Sequence, residues 1–214
     1  MEKKLFFDFG ELLFDYTFTK HGTLRRAHEL VLPHLGAVQT LDSLEKAHDA
    51  AIGEYLTDRK RTDREWTMDK IMGRVLYHLG LPNDPLLRRR MDDTYKINDH
   101  DFSPREGIPE LLSEYDAKGE SLNIISNLPH DSALYELDQY GLRGHFDTIT
   151  FSHESGWRKP HPAIYELALK KAKIGSSNAY FISHDEGEVE GARRVGIESG
   201  LAINVNEIRG LLEQ

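Results

Sequence analysis

Asp8 closes the apolar run Leu5-Phe6-Phe7, and Gly10 stands two residues after it. Ser126 and Asn127 follow Leu122-Asn123-Ile124-Ile125, and Ser183-His184-Asp185 follows Ala179-Tyr180-Phe181-Ile182. Three short apolar runs rich in strand formers therefore end on side chains that can do chemistry. A carboxylate fixed at a strand tip can attack an electrophile and form a covalent aspartyl intermediate, which water then hydrolyses. The Ser126 hydroxyl can donate to a transferring oxygen. The Lys159 ammonium can neutralise developing negative charge and the charge of Asp8 itself. Plainer roles exist for each: a turn-forming aspartate, a helix N-cap serine, a solvated loop lysine.

Positioning such groups needs a frame, and the pattern supplies one. After Pro104, helical stretches alternate with short apolar runs. Helices are expected over 106–118, 132–141, 162–172 and 188–195, and strands over 122–125, 148–151, 179–182 and 200–203. Alternation of this kind predicts an α/β fold, a Rossmann-like parallel sheet with helices on both faces. Ligands bind such sheets outside the carboxyl ends of the strands, where Asp8, Ser126 and Ser183 fall. Between Thr23 and Lys96 the texture is helical throughout. Leu24, Ala27, Leu30, Val31 and Leu35 keep helical spacing, as do Leu44, Ala47, Ala51 and Tyr55. Ile71, Val75, Leu76 and Leu79 form a third set, closed by Gly80-Leu81-Pro82. The expected division is a core of residues 1–15 and 101–214 with an inserted all-helical domain over 16–100.

Composition narrows the function class. Hydrophobic residues are 39% and charged residues 29% of the 214, enough apolar surface for an ordinary core. The net charge of −9 argues against a protein that binds nucleic acid by neutralising phosphates. No apolar run nears the roughly 20 residues of a membrane span. The N-terminal run meets Asp8 too early for a signal peptide, and there is no cysteine for a disulfide, a thiolate metal site or a thiol nucleophile. A cytoplasmic protein with a small-molecule partner is expected.

These residues together resemble the haloacid dehalogenase superfamily, over essentially the whole chain. Leu5-Phe6-Phe7-Asp8-Phe9-Gly10 is similar to its first motif and Ile124-Ile125-Ser126-Asn127 to its second. Arg158-Lys159-Pro160-His161-Pro162-Ala163-Ile164-Tyr165 is similar to the third, and the stretch Phe181 through Ala192 to the fourth. The resemblance implies a helical cap inserted after the first strand, with Asp8 as nucleophile and Ser126 and Lys159 as catalytic partners. Gly10, Asn127, Ser183 and His184 are implied as substrate-binding. A magnesium ion would be held by Asp8, the backbone oxygen of Gly10, and Asp185 or Glu188.

Two departures shape the reading. Phosphatases of the superfamily carry an acidic proton donor where Gly10 stands, and a lost general acid costs roughly 10²–10⁴ in rate for a poor leaving group. Glu11 is adjacent, but an extended segment would point it elsewhere. The fourth motif, aligned on Gly191-Ala192, puts Ser183 where a metal-binding aspartate is usual. The first expectation is a magnesium-dependent phosphatase of a small phosphorylated metabolite. The second is a metal-independent 2-haloacid dehalogenase, since Ser183, Asp185 and Glu188 resemble that fourth motif, although Gly10 and Leu12 replace its tyrosine and threonine. Its halide-binding arginine would come from Arg25, Arg26 or Arg74. The third is a catalytically impaired binding protein. Tyr165 and Trp157 are expected to pack, Trp157 against the Arg158-Lys159 loop.

Overall fold

A computed structural model describes residues 3–129 and 131–213; Met1 and Glu2, at the head of the N-terminal run, lie outside them. In chain order the elements are β1 (Lys4–Phe7), β2 (Phe14–Thr17), α1 (Thr23–Val31), α2 (Leu41–Thr62), α3 (Met68–His78) and α4 (Pro85–Asn98). Next come β3 (Asp101–Pro104), α5 (Ile108–Ala117), β4 (Leu122–Ser126), α6 (Ser132–Gln139), β5 (Phe146–Phe151) and α7 (Ser152–Ser155). The chain closes with α8 (Pro162–Ala172), β6 (Ala179–Ser183), α9 (Glu186–Arg194), β7 (Glu198–Leu201) and α10 (Val205–Leu212). It forms two compact units, one of Met1–Tyr16 with Phe102–Gln214, the other of Thr17–Asp101.

The first unit is an α/β fold. Its sheet runs β5-β4-β1-β6-β7 with every pairing parallel. Strands buried on both faces read as continuous apolar runs, and alternate residues divide between two cores. Leu5, Phe7, Ile124 and Ile182 join Leu111 and Leu112 of α5, Leu137 of α6 and Ile208 of α10 on one face. Phe6, Ile125 and Phe181 join Ile164, Tyr165 and Ala168 of α8 and Ala192 of α9 on the other. β1 lies at the centre, between β4 and β6, so Asp8, Ser126 and Ser183 end three adjacent strands.

The second unit is α1–α4 around a separate core that includes Leu44, Ile71, Met72, Leu76, Met91 and Tyr95. Its helix starts follow ordinary capping chemistry: Thr40, Thr67 and Asp84 each accept a backbone N–H of the first turn. Arg25, Arg26 and Arg74 all face carboxylates of this unit. Arg25 pairs with Glu29, Arg26 with Asp101, and Arg74 takes both oxygens of Glu54.

Three differences from the expected elements have simple causes. β2 and β3 form a two-stranded ribbon that no run announces, because each is four residues long and mixes polar with apolar types. The last sheet strand is Glu198–Leu201 rather than 200–203, since Gly196 turns the chain back directly and Tyr180 to Ser183 pair with 198–201. α10 was not expected; its Asn204 cap accepts from the Glu207 N–H.

Candidate active site

Asp8 sits one residue past β1, held by its own N–H donating to Ile182 O at 2.8 Å. Its side chain is almost fully buried. Oδ1 accepts the Phe9 N–H at 2.8 Å and the Lys159 ammonium. Oδ2 faces His184 Nδ1 at 2.8 Å, with Ser183 Oγ at 3.5 Å. Burial pushes this carboxyl upward, but the Lys159 charge and the hydrogen bonds from His184 and Lys159 outweigh it and hold Asp8 below the usual range.

Lys159 has no exposed side-chain surface. Its Nζ lies between Asp8 Oδ1 and Glu188 Oε2, the latter at 2.8 Å. Burial works against the ammonium, yet the two facing carboxylates raise its pKa, so it stays charged. Asn127 fixes the geometry: its Oδ1 accepts the Lys159 N–H at 2.7 Å and its Nδ2 donates to Glu188 Oε1 at 2.9 Å. The Asn127 amide is thus a brace between the third and fourth motifs.

Glu188 comes from the first turn of α9. Burial raises its pKa, against the pull of Lys159 and with the push of Asp8. Its Oε2 also accepts from Ser183 Oγ at 2.7 Å, and its backbone oxygen accepts from the Tyr165 hydroxyl at 2.7 Å. Asp185 does something else. It is the exposed N-cap of α9, its Oδ1 accepting the Glu188 N–H at 2.9 Å. Of the two acidic residues offered as alternatives, the cap takes Asp185 and the turn aims Glu188 inward. The spacing of an acidic N-cap followed three residues later by glutamate is a legible signal for this choice.

Gly191 explains why α9 can stand so close. A Cβ there would lie 2.7–2.9 Å from Pro160 Cβ, O and Cα. Only a residue without one lets the helix lie against the Lys159-Pro160 segment. Trp157 stacks on His161 at 4.0 Å in the same loop.

His184 is the group whose contact with Asp8 sequence reasoning left unplaced. Besides Asp8, it meets Glu11 Oε2 through Nε2 at 3.3 Å. The hydrogen bond to Asp8 raises its pKa, partly opposed by burial. Glu11 is not extended as expected: its φ is 60°, in the left-handed region, within a turn closed by Glu11 N–H to Phe14 O. That turn sends its carboxylate toward His184. Ser126 ends β4, buried on the strand beside β1, and no hydrogen bond joins it to Asp8 among the described residues. Gly10 is half-buried and bridges to Phe14.

Of the groups expected to hold magnesium, the carboxylates of Asp8 and Glu188 are therefore engaged by side chains and N–H groups of the chain, and Asp185 Oδ1 caps α9. Among the described residues, no group of three His, Cys, Asp or Glu is placed to hold a metal ion. Nor is any helix there long and apolar enough to cross a membrane.

Comparison with known proteins agrees with this frame. A human protein, haloacid dehalogenase-like hydrolase domain-containing protein 3, is 28% identical over 188 residues, 86% of this chain and 73% of that protein. Ribulose-1,5-bisphosphate 5-phosphatase of Halopiger xanaduensis is 31% identical over 93 residues, 43% of this chain and 39% of that one. (S)-2-haloacid dehalogenase 2 of a Pseudomonas strain is 28% identical over 113 residues, 53% and 48% respectively. In structure, the 2-haloacid dehalogenase of Pseudomonas syringae superposes with a TM-score of 0.72 at 20% identity, covering 100% of this chain and 97% of that one. The family model described as haloacid dehalogenase-like hydrolase matches residues 38–202, beginning after the Asp8 strand and taking in the second, third and fourth motifs. With most of the chain inside that match and a parallel α/β sheet carrying the motifs, the protein belongs to the haloacid dehalogenase-like hydrolases.

Proposed function

We propose that this hydrolase uses Asp8 as nucleophile and Lys159 as its resident cation, on a small anionic substrate whose leaving group departs without a proton. A 2-haloacid is the substrate class that fits. The observation that carries this reading is the fully buried Lys159 ammonium between Asp8 Oδ1 and Glu188 Oε2. Magnesium needs about six oxygens, and the donor set does not fit it. Both oxygens of Asp8 and of Glu188 already accept from the chain, and Asp185 caps a helix.

In the first half-reaction Asp8 attacks C2 of the haloacid. A carbon–oxygen bond forms as the carbon–halogen bond breaks, and halide leaves with the bonding pair. No acid is called for, which suits Gly10. His184 beside Oδ2 supplies positive character toward an anionic substrate. In the second half, water attacks the Asp8 ester carbon and gives a proton to Glu188, a buried carboxyl with a raised pKa. That proton passes to the departing product hydroxyl. The second water proton goes to solvent as Asp8 is restored, so the products are a 2-hydroxyacid, halide and one proton.

The test is halide release from 2-chloropropionate in EDTA by the wild type and by Asp8→Asn. Release by the wild type alone supports the reading. Hydrolysis of p-nitrophenyl phosphate that EDTA abolishes and magnesium restores would overturn it in favour of the phosphatase, which the 31% identity to a bisphosphate phosphatase supports. Inactivity of both proteins on both substrates would favour a binding role.

A further inference from the structure

Position 10 poses a question that Asp8, Lys159 and Glu188 leave open: what stands where a side chain two residues after the nucleophile would be? The backbone does not demand glycine, because Gly10 is not among the residues with φ in the left-handed region. A Cβ built there would touch a neighbour instead. It would lie 3.4 Å from Cε2 and 3.9 Å from Cδ2 of Tyr16. Alanine would just fit, and anything longer reaching toward the ring would enter it.

That ring is fixed from two directions. The Tyr16 hydroxyl donates to Glu136 Oε2 at 2.5 Å, and Glu136 is fully buried on α6. The ring also packs edge-on against Phe9, the residue next to Asp8, with centroids 6.4 Å apart. Burial, the Glu136 carboxylate and the charge of Asp8 together push the phenol pKa far up, so its proton stays on. Tyr16 is then a neutral aromatic wall, too weak an acid to protonate a leaving group.

We infer that Tyr16, anchored by Glu136, occupies the volume of the absent side chain at position 10 and determines which leaving groups the Asp8 site accepts. The inference rests on Asp8 being the nucleophile proposed above. It specifies compact leaving groups of low basicity, such as chloride, and disfavours bulky ones. A missing or added group in such a wall changes discrimination by about 10-fold to 200-fold.

Two measurements test it. The first compares kcat/KM for 2-chloro- and 2-iodopropionate in the wild type, Tyr16→Phe, Tyr16→Leu and Tyr16→Ala. The iodo-to-chloro ratio should rise about tenfold or more in Tyr16→Ala, mainly through KM for the iodo substrate, and should stay at the wild-type value in Tyr16→Phe, which keeps the ring. Equal losses on both substrates would mean that Tyr16 only supports the fold, and would overturn the inference. The second needs no activity. Urea midpoints are measured for Gly10→Asn in the wild type and in Tyr16→Ala, or in Tyr16→Leu should the alanine variant not fold. The asparagine should lower the midpoint less once the ring is gone, and an equal loss in both backgrounds would overturn the claim on space. A wild type no more active than Asp8→Asn would instead refute the function proposed above, with the midpoint cycle still deciding who holds the space at Gly10.

Discussion

Replacing Lys159 by methionine removes the ammonium and keeps most of the stem's volume. What remains is a pair of carboxylates, Asp8 and Glu188, in a site where Lys159 has no exposed surface. Breaking a buried ion pair from one side costs about 3–5 kcal/mol, because the partner charge is left uncompensated. For a chain of this size each kcal/mol moves the melting temperature by about 2–4 °C, so Lys159→Met should melt roughly 6–20 °C below the wild type at pH 7. The pH dependence follows from the same charges. In the wild type Asp8 is held below its ordinary pKa, so it stabilises above the unfolded value and that contribution is lost as pH falls. Without Lys159, one carboxyl of the pair is raised instead, and the folded variant takes up a proton before the unfolded chain does. The gap between the two proteins should therefore be widest near pH 7 and narrow toward pH 4.5. Scanning calorimetry at both pH values checks this, and Lys159→Met/Glu188→Gln should recover part of the loss. A variant that melts with the wild type at pH 7, or a gap that does not change with pH, would refute a buried, doubly paired ammonium.

Further outcomes are expected from the same structure. Gly191→Ala should lower stability by about 1–3 kcal/mol, as overpacking does, and lower activity with it, because a Cβ 2.7–2.9 Å from Pro160 must part α9 from the Lys159 loop; urea midpoints and halide release measure both. His48, stacked on Tyr95 in the helical unit, has its pKa lowered from 6.5 to about 4 by burial. The unfolded chain then binds more protons between those values, so stability is full above pH 6.5 and falls by roughly 3 kcal/mol as pH drops toward 4. His48→Phe should flatten that acid limb in a melting-temperature profile, and an unchanged limb would count against the assignment. His184→Gln should raise KM for an anionic substrate more than it lowers kcat, since it removes positive character beside Asp8 Oδ2 while leaving Lys159 in place.

The parallel sheet was legible because strands buried on both faces carry unbroken apolar runs, and Asp8, Ser126 and Ser183 end such runs on three adjacent strands. Lys159 was legible as a residue but its second partner was not. That Glu188 meets it while Asp185 caps the helix follows from where α9 begins, which the acidic cap-to-third-residue spacing signals, but the contact with Lys159 is made across more than twenty residues of chain and has no local pattern. Glu11 was misread because a left-handed residue reverses the direction that an extended strand would give its side chain. Tyr16 was invisible for a different reason. Its approach to Gly10 requires the turn over residues 10–14 to fold β2 back beside Asp8, and its partner Glu136 lies 120 residues away. Local pattern records the period of an element and its ends. It does not record which distant side chain fills a gap left by a glycine.

The charges around Asp8 give the arrangement its chemical direction. Asp8 and Glu188 carry two negative charges, Lys159 carries one positive charge, and the raised pKa of His184 brings a second within reach near neutrality. The two cations offset the two buried carboxylates without any added ion, leaving the exposed Glu11 beyond His184 as the outer negative charge, so an anionic substrate would not face two bare carboxylates at Asp8. The two cations divide the work by their placement. Lys159 is locked on Oδ1 by Asn127 and Glu188, whereas His184 lies on Oδ2 with its side chain partly open to solvent. On the function proposed above, the oxygen released for attack is Oδ2: moving a half-buried imidazole costs far less than unseating a lysine held by two carboxylates. On that proposal Asp8 needs only a leaving group that departs on its own, and the Tyr16 ring beside Gly10, its hydroxyl bound to Glu136, supplies no proton that would favour any other.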